Sequence, residues 1–173
     1  MFRASTLVFL AALLGALLSG CVNMSNPKVL APGASAEAIR AHLGEPTARY
    51  AMPGGSTRLE YARGPYGRET WMLDVDANGA LVAATQALTE ANFNGIQAGM
   101  SRDELLRTLG RPSRTGVVGR QHQTVWSYRY QSPFCQWFQV GLSASGVVED
   151  TGYGPDPLCD DDDVPHLGLL RIR

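Results

Sequence analysis

Two stretches of the chain share one pattern of apolar and polar residues, offset from each other by 66 positions. Each begins with Gly-x-Ser, places a branched apolar residue four positions after the serine, and continues to Leu-Gly-x-Pro. The first motif extends from Gly33 to Pro46 and the second from Gly99 to Pro112. Because a fixed offset is the signature of a repeated structural unit, the sequence predicts two tandem copies of one fold.

Each motif has the features of a short helix with defined ends. In the second copy Ser101 is a favourable N-cap, and Glu104 completes a capping box. The leucines between Leu105 and Leu109 then form one apolar stripe, and the glycine and proline that follow end the helix. The first copy has a narrower stripe and no complete capping box. Residues 89–96 predict another short helix, which begins the second copy.

After each helix the spacing of apolar residues changes to every second position. In the first copy this alternation extends from Trp71 to Val75, and the Asn-Gly pair at Asn78 predicts a type I′ hairpin. The second copy repeats the alternation around Trp126 and Trp137. The sequence therefore predicts an α+β fold of two tandem units, each a short helix or helix pair packed on a three-stranded antiparallel sheet.

The pattern also predicts where the units begin and end. Residues 33–87 form the first predicted unit and residues 88–153 the second. Residues 21–32 lack any periodic apolar pattern, which indicates a flexible tether. Residues 154–173 are expected to be an acidic C-terminal tail, because the aspartates at 160–163 lack the alternating ligands of a calcium loop.

The N-terminal segment has the features of a secretory signal. Residues 7–18 contain only Leu, Val, Phe, Ala and Gly, a run too short to cross about 30 Å of hydrocarbon. The run ends in Leu-Ser-Gly-Cys at Cys21, which resembles the bacterial lipobox. The resemblance implies that residues 1–20 are a signal peptide and that Cys21 is the lipid attachment site. An ordinary signal peptide followed by an unrelated cysteine is the alternative.

Lipid on Cys21 would make a membrane the first partner of this chain. A diacylated and N-acylated cysteine anchors a protein far more firmly than a single acyl chain does. In the enteric sorting rule, an aspartate directly after this cysteine retains a lipoprotein at the inner membrane, and Val22 occupies that position here. We therefore expect a bacterial outer-membrane protein that is lipid-anchored and faces the periplasm.

The two remaining cysteines, Cys135 and Cys159, are 24 residues apart. In an oxidising compartment such a pair usually forms a disulfide, and closing a loop of this length would stabilise the fold by about 3 kcal/mol. A redox-active pair is the alternative, but it requires a Cys-x-x-Cys spacing or a similar activating context. The sequence has no such context and favours a structural disulfide.

The composition gives no indication of a nucleic-acid partner, an enzyme or a cofactor. The formal net charge is −1, so no basic field points to nucleic acid. His42, His122 and His166 have no ligand-like spacing, and no glycine-rich phosphate loop or nucleophile motif is present. We therefore expect a protein without catalytic residues, metal or cofactor.

Aromatic and basic residues of the second unit form the candidate binding surface. Trp126 and Tyr128 lie on a predicted strand, and Arg111 and Arg114 follow the predicted helix. Exposed aromatics are typical of recognition surfaces, and arginines bind anionic headgroups or acidic partners. Two alternatives are open: the aromatics fill the core, and the arginines belong to a solvated face.

One set of motifs in the second unit also carries a family resemblance. These motifs are Leu-Thr-Glu-Ala-Asn-Phe at 88–93, Gly-Met-Ser at 99–101, Leu-Gly-Arg-Pro at 109–112, and the strand residues Trp126 and Tyr128. They resemble the SmpA/OmlA, or BamE-like, outer-membrane lipoprotein domain over residues 88–153, and residues 33–87 resemble it less closely. The resemblance implies two helices packed on a three-stranded antiparallel sheet, although that family has a single unit.

The resemblance implies a role as an accessory of the machinery that inserts β-barrel proteins into the outer membrane. We therefore expect a lipid-anchored, non-catalytic binding or scaffold module with a protein partner in the envelope. The alternative is a protein inhibitor or binding module of the β-lactamase-inhibitor type, since those secreted proteins also contain tandem units of similar fold. Such a module would act on an envelope enzyme or a foreign one.

Overall fold

The computed structural model describes residues 27–64, 66–119 and 122–159, and these residues form an α+β fold. The elements in chain order are α1 (Ala36–Leu43), β1 (Ala48–Ala51), β2 (Thr57–Ala62), β3 (Thr70–Val75), β4 (Leu81–Gln86), α2 (Glu90–Phe93), α3 (Arg102–Leu109), β5 (Arg114–Val118), β6 (Gln123–Arg129), β7 (Gln136–Leu142) and β8 (Val148–Pro155). Strands β1 to β4 form one antiparallel sheet and β5 to β8 form another, each with its strands in sequence order.

In the first unit, α1 packs on one face of the sheet, which we call the inner face. The helix begins after Ser35, whose hydroxyl accepts a hydrogen bond from the N–H of Ala38 at 3.2 Å. Ile39 is fully buried and packs in a core with Leu59 and Leu73. Alternate positions of β2 and β3 thus bring their apolar side chains beneath the helix, as period two requires.

In the second unit, α2 and α3 pack on the inner face of the sheet. Ser101 and Glu104 form the predicted capping box, and Thr89 caps α2 by accepting a hydrogen bond from Asn92. The core is larger than that of the first unit and includes Phe93, which stacks on the ring of Phe138 with centroids 4.3 Å apart. The two predicted helix starts are confirmed.

The two units repeat each other down to individual hydrogen bonds. The hydroxyl of Tyr61 donates to the carbonyl of Gly44, and that of Tyr128 donates to the carbonyl of Gly110, both at 3.2 Å. Each glycine directly follows its helix and has a positive φ, of 81° and 78°. A tyrosine on the second strand therefore fastens the helix end in both units.

Each sheet has four strands, so the prediction of three-stranded sheets is wrong. The strands missed from the sequence are the first of each sheet, β1 and β5. All five residues of β5 are exposed, whereas β1 has only four residues. Strand β5 buries neither of its faces, so its sequence carries no alternation of apolar and polar residues, whereas β1 is too short for its alternation to identify it.

The hairpin between β3 and β4 differs from the predicted type I′ turn. Such a turn needs positive φ at both central residues, but here Gly79 has a φ of 80° and Asn78 does not adopt a positive φ. The carboxylate of Asp76 accepts hydrogen bonds from the N–H groups of Asn78 and Ala80, both at 2.9 Å. These backbone hydrogen bonds, that of Ala80 above all, lower the pKa of Asp76.

Both predicted unit boundaries extend further than the sequence pattern indicated. At the C-terminal side, β8 continues to Pro155, Asp156 is buried and Cys159 is disulfide-bonded to Cys135, so residues 154–155 belong to the second sheet and residues 156–159 are held against it rather than forming a tail. At the N-terminal side, Pro27–Val29 form a 3₁₀ turn and Leu30 packs against the first core, so residues 27–32 are not a free tether.

Several predictions fall on residues outside the described part of the chain. These are the signal peptide, the lipid site at Cys21, the aspartates at 160–163, and His166. Among the helices that the structure describes, none is long and apolar enough to cross a membrane.

Candidate binding surface

Each sheet has an outer face, opposite the helix, and the outer face of the first sheet is strongly polar. Antiparallel pairing places Arg58 beside Asp74 and Glu60 beside Met72 on this face. Arg58 donates two hydrogen bonds to the carboxylate of Asp74, at 2.6 and 2.8 Å, in the bidentate geometry that favours arginine. The strength of this pair raises the pKa of Arg58.

The second unit covers the outer face of the first sheet. Arg58 also donates to the carbonyl oxygen of Arg107 at 2.8 Å, and this carbonyl lies in the last turn of α3. Glu60 accepts a hydrogen bond from the backbone N–H of Arg111 at 3.3 Å. Glu60 is 0% exposed and Met72 is 2% exposed, so this face is an interface between the two units.

The buried carboxylate of Glu60 is surrounded by hydrogen-bond donors. The hydroxyl of Thr47 donates to it at 3.1 Å and the hydroxyl of Tyr50 at 2.5 Å. Burial and this hydrogen bond raise the pKa of Tyr50, and burial together with the charge of Glu60 raises the pKa of Tyr128. A buried carboxylate needs such donors, and those of Glu60 come from both units. Glu60 therefore helps to hold the interface together.

The outer face of the second sheet lacks these charged groups. By strand register, Val125 occupies the position of Arg58, Ser127 that of Glu60, and Gly141 that of Asp74. Gly116 likewise occupies the position of Tyr50. The smaller side chains leave an open groove of about 390 Å³, which is lined by Arg114, Gly116, Val125, Ser127, Trp137 and Gln139 among others.

Amide groups form part of the floor of this face. The side chain of Gln139 donates to the hydroxyl of Ser127 at 3.2 Å. Gln123 lies over Gly141 and donates to Asp150 at 3.0 Å. The groove therefore offers apolar surface together with hydrogen-bonding amides and hydroxyls, a combination suited to a polypeptide rather than to a highly charged ligand.

A buried ion pair lies next to the groove, beside Trp137. Arg129 donates to both carboxylate oxygens of Asp156, at 2.5 and 2.9 Å, and its guanidinium lies 5.0 Å from the ring centroid of Trp137. Burial raises the pKa of Asp156, but hydrogen bonds from Arg129 and from the backbone of Leu158 outweigh this effect and lower it. The same guanidinium also lies 5.9 Å from the ring centroid of Tyr66, in the loop of the first unit between β2 and β3.

The disulfide between Cys135 and Cys159 is present, with 6.1 Å between the two Cα atoms. It fixes the segment that follows β8 to the loop before β7. The backbone N–H of Asp156 donates to the carbonyl of Cys135 at 3.0 Å. The predicted pairing is therefore confirmed. The covalent bond and this hydrogen bond together hold the aspartate against Arg129, next to the groove.

The four residues predicted as a binding surface do not lie on one surface. Trp126 and Tyr128 belong to the core under α3 and are 8% and 0% exposed. This corrects the prediction, because alternate residues of β6 point to opposite faces and these two point inward. Arg111 is exposed beside the interface between the units, and Arg114 lines the groove.

Three residues that line the groove were not predicted from the sequence, namely Val125, Ser127 and Gln139. The signal that could have indicated them is the concentration of glycine on β5, β7 and β8, where Gly116, Gly141, Gly152 and Gly154 all lie on the outer face. Within the residues that the structure describes, no three histidine, cysteine or acidic side chains are arranged to hold a metal ion.

No protein-family model matches this chain, and no curated protein matches it. Three solved structures overlap with it at low TM-score. A cysteine-rich secretory protein from Staphylococcus aureus has 10% identity and a TM-score of 0.29, with 75% of this chain and 46% of that one covered. An extracellular protein containing a SCP domain from Bacillus anthracis has 12% identity and a TM-score of 0.29, with 72% and 44% covered.

The third structure is a DUF4309 family protein from Bacillus subtilis, with 12% identity and a TM-score of 0.28, and with 70% of this chain and 78% of that one covered. The chain spans less than half the length of the first two proteins. Overlap at these TM-scores carries no argument about fold or function.

Proposed function

We propose that this protein is a lipid-anchored, non-catalytic binding or scaffold module of the SmpA/OmlA kind, which faces the periplasm from the bacterial outer membrane and serves β-barrel assembly. The observation that carries the binding role is the difference between the two outer faces. On the first sheet that face is covered by the second unit. On the second sheet the equivalent face is an open groove.

The proposed location depends on the N-terminal sequence and is supported by the disulfide. The lipobox-like motif ends at Cys21, which is followed by Val22 rather than by an aspartate. The bond between Cys135 and Cys159 is of a kind that persists in oxidising compartments such as the periplasm. Both features fit a protein that is exported and then held at a membrane surface.

The chemistry of the groove supports a protein partner. Val125, Trp137 and Pro155 provide apolar lining, while Ser127 and Gln139 provide polar groups. An interface of this kind accepts an apolar side chain and fixes its orientation through a few hydrogen bonds. Arg114 is the single basic residue in the described lining of the groove, and the neighbouring Arg129 is paired with Asp156. An anionic lipid or a nucleic acid would therefore not find several positive charges there.

In-cell photo-crosslinking tests the proposed partner. A photoreactive amino acid replaces Gln139 in the groove, and a matched control replaces Val82, which is 62% exposed on β4 of the first sheet. We expect barrel-assembly subunits to be captured from position 139 and not from position 82. Capture of one soluble hydrolase from position 139 would instead support the inhibitor-type function, and equal capture from both positions would contradict a specific role for the groove.

Fractionation of the Cys21→Ala variant tests the anchor. Because residue 21 precedes all described elements, the variant is expected to fold normally and to appear in the soluble periplasmic fraction. The unmodified protein is expected to remain with outer membranes after a high-salt wash. A variant that stays on the membrane through the same wash would show that lipid on Cys21 is not the anchor.

A further inference from the structure

Strand β5 is an edge strand whose whole surface is exposed. It pairs with β6 on one side, and no strand in the described part of the chain pairs with its other side. Val117 is 79% exposed and Val118 is 38% exposed. An edge that combines unpaired backbone groups with exposed valines is a template for pairing with another strand.

The other sheet edges are protected in ways that β5 is not. On β8, Glu149 and Asp150 are exposed and would repel a second acidic strand. The end of β4 is covered, because the side chain of Asn92 donates to the carbonyl groups of Gln86 and Ala87. Strand β1 has only four residues and is followed by a 3₁₀ turn that begins at Pro53. Among the described edges, β5 is therefore the one most suited to intermolecular pairing.

We propose that β5 pairs with β5 of a second copy of this chain, antiparallel and about a two-fold axis at Gly116. This is the register in which all five residues of both strands overlap. It places Thr115 opposite Val117 of the other copy, a cross-strand pair of β-branched residues on one face. On the other face it places Val118 against the aliphatic stem of Arg114. Both exposed valines thereby gain a partner, and the two sheets become one of eight strands.

The charges on β5 are compatible with this symmetric pairing. The two copies of Arg114 lie at opposite ends of the pair, separated along the strands by about 14 Å. That separation exceeds the screening length of about 8 Å at physiological ionic strength, so the like charges do not oppose association. The equivalent edge of the first sheet lacks this complementarity, because Tyr50 replaces Gly116 and is part of the interface between units.

The size of the contact sets its expected strength. A pair of five-residue strands buries less than the roughly 1,200 Å² found in stable complexes, so the association is weak between freely diffusing chains. It becomes substantial when chains are held close together, as on a membrane, because the local concentration is then raised. The inference goes beyond the proposed function and does not depend on the identity of any envelope partner.

Disulfide trapping tests the pairing in the full-length protein. A Cβ atom at position 116 would meet no atom within 4 Å, so Gly116→Cys is expected to fold. Its two thiols would lie across the two-fold axis, where opposite Cα atoms are about 4.5 to 5.5 Å apart. Val82→Cys, at an exposed position of β4, is the matched control, and the unmodified chain reports any dimer formed through Cys21.

Under mild oxidation we expect Gly116→Cys to form a covalent dimer at least tenfold faster than Val82→Cys. Adding Val117→Lys should reduce the rate to that of the control, because two lysines then lie about 7 to 8 Å apart on one face. Circular dichroism establishes that the variants fold. If Gly116→Cys forms dimers no faster than Val82→Cys, or is trapped only with a different protein, the proposed pairing is wrong.

Sedimentation of the unmodified protein gives a measurement that does not depend on a new cysteine. We expect a concentration-dependent monomer–dimer equilibrium in mild detergent that Val117→Lys shifts to monomer. A monomer at every concentration up to the solubility limit, or an equilibrium that Val117→Lys leaves unchanged, would overturn the proposal.

Discussion

Substitution of Gly110 by alanine, compared with the same change at Gly44, measures how tightly the two units pack together. Both glycines follow a helix and have nearly the same backbone conformation, with φ and ψ of 78° and −163° at Gly110 and of 81° and −163° at Gly44. This region is accessible essentially only to glycine, and a side chain there costs about 1 to 3 kcal/mol. The backbone cost is therefore common to both variants.

The surroundings of the two glycines differ. A Cβ atom at position 44 would meet nothing within 4 Å, whereas at position 110 it would lie 2.9 Å from Cδ of Glu60 and 3.0 Å from Cε of Met72. Both of these side chains are buried in the interface and cannot move into solvent. Overpacking of this kind costs about 1 to 3 kcal/mol. We therefore expect a loss of about 2 to 6 kcal/mol for Gly110→Ala and only the backbone part for Gly44→Ala.

The assay is urea denaturation of the chain that begins at Val22, followed by circular dichroism. The difference between the two free energies of unfolding isolates the interface contribution, because the backbone cost cancels. If Gly110→Ala is no more destabilising than Gly44→Ala, then Glu60 and Met72 are not packed against the end of α3, and the second unit does not cover the outer face of the first sheet.

Three further predictions concern the helix leucines, the buried ion pair and the disulfide. Leu109 is fully buried and Leu43 only partly, so Leu109→Ala should cost about 2 to 5 kcal/mol and Leu43→Ala less; an equal or larger effect of Leu43→Ala in urea denaturation would contradict this ranking. Because the pKa of Asp156 is lowered in the fold, its carboxylate stabilises the protein above about pH 4 and loses this effect as the pH falls through the native pKa. Asp156→Asn should therefore flatten the dependence of unfolding free energy on pH below about pH 5, and an unchanged slope there would contradict the role of the ion pair. Mass spectrometry of unreduced periplasmic protein should detect the peptide that joins Cys135 and Cys159, and free thiols at both positions would refute the bond there.

Features encoded by a few neighbouring residues could be predicted from the sequence. The capping box of Ser101 and Glu104 depends only on residues three positions apart, and it forms as expected. The inner-face strands follow from the alternation of large apolar residues, because burial under a helix imposes period two. The pairing of Cys135 with Cys159 could be predicted from the number of cysteines and the expectation of an oxidising compartment.

Features that depend on which neighbour covers a surface could not be predicted in the same way. Tyrosine is a residue type that is common at recognition surfaces, but the position of Tyr128 on the inward side of β6 places it in the core. Glu60 reads as an ordinary polar strand residue, yet the second unit buries it completely. Strand β5 carries no burial pattern because both of its faces are exposed. In each case the decisive contact is made by residues far away in the sequence.

The repeat makes the difference between the two outer faces informative. Both units share their helix caps, the tyrosine hydrogen bonds to the helix ends and the strand register. Selection for folding alone therefore offers no reason for their outer faces to differ. Yet Arg58 and Glu60, which bind the end of α3, correspond to Val125 and Ser127 in the second unit. These replacements remove the groups that, in the first unit, hold the end of α3. The second outer face is therefore unsuited to adding a third unit of the same kind by the same contacts, and a partner that uses the groove must bind through its apolar lining and amide groups instead.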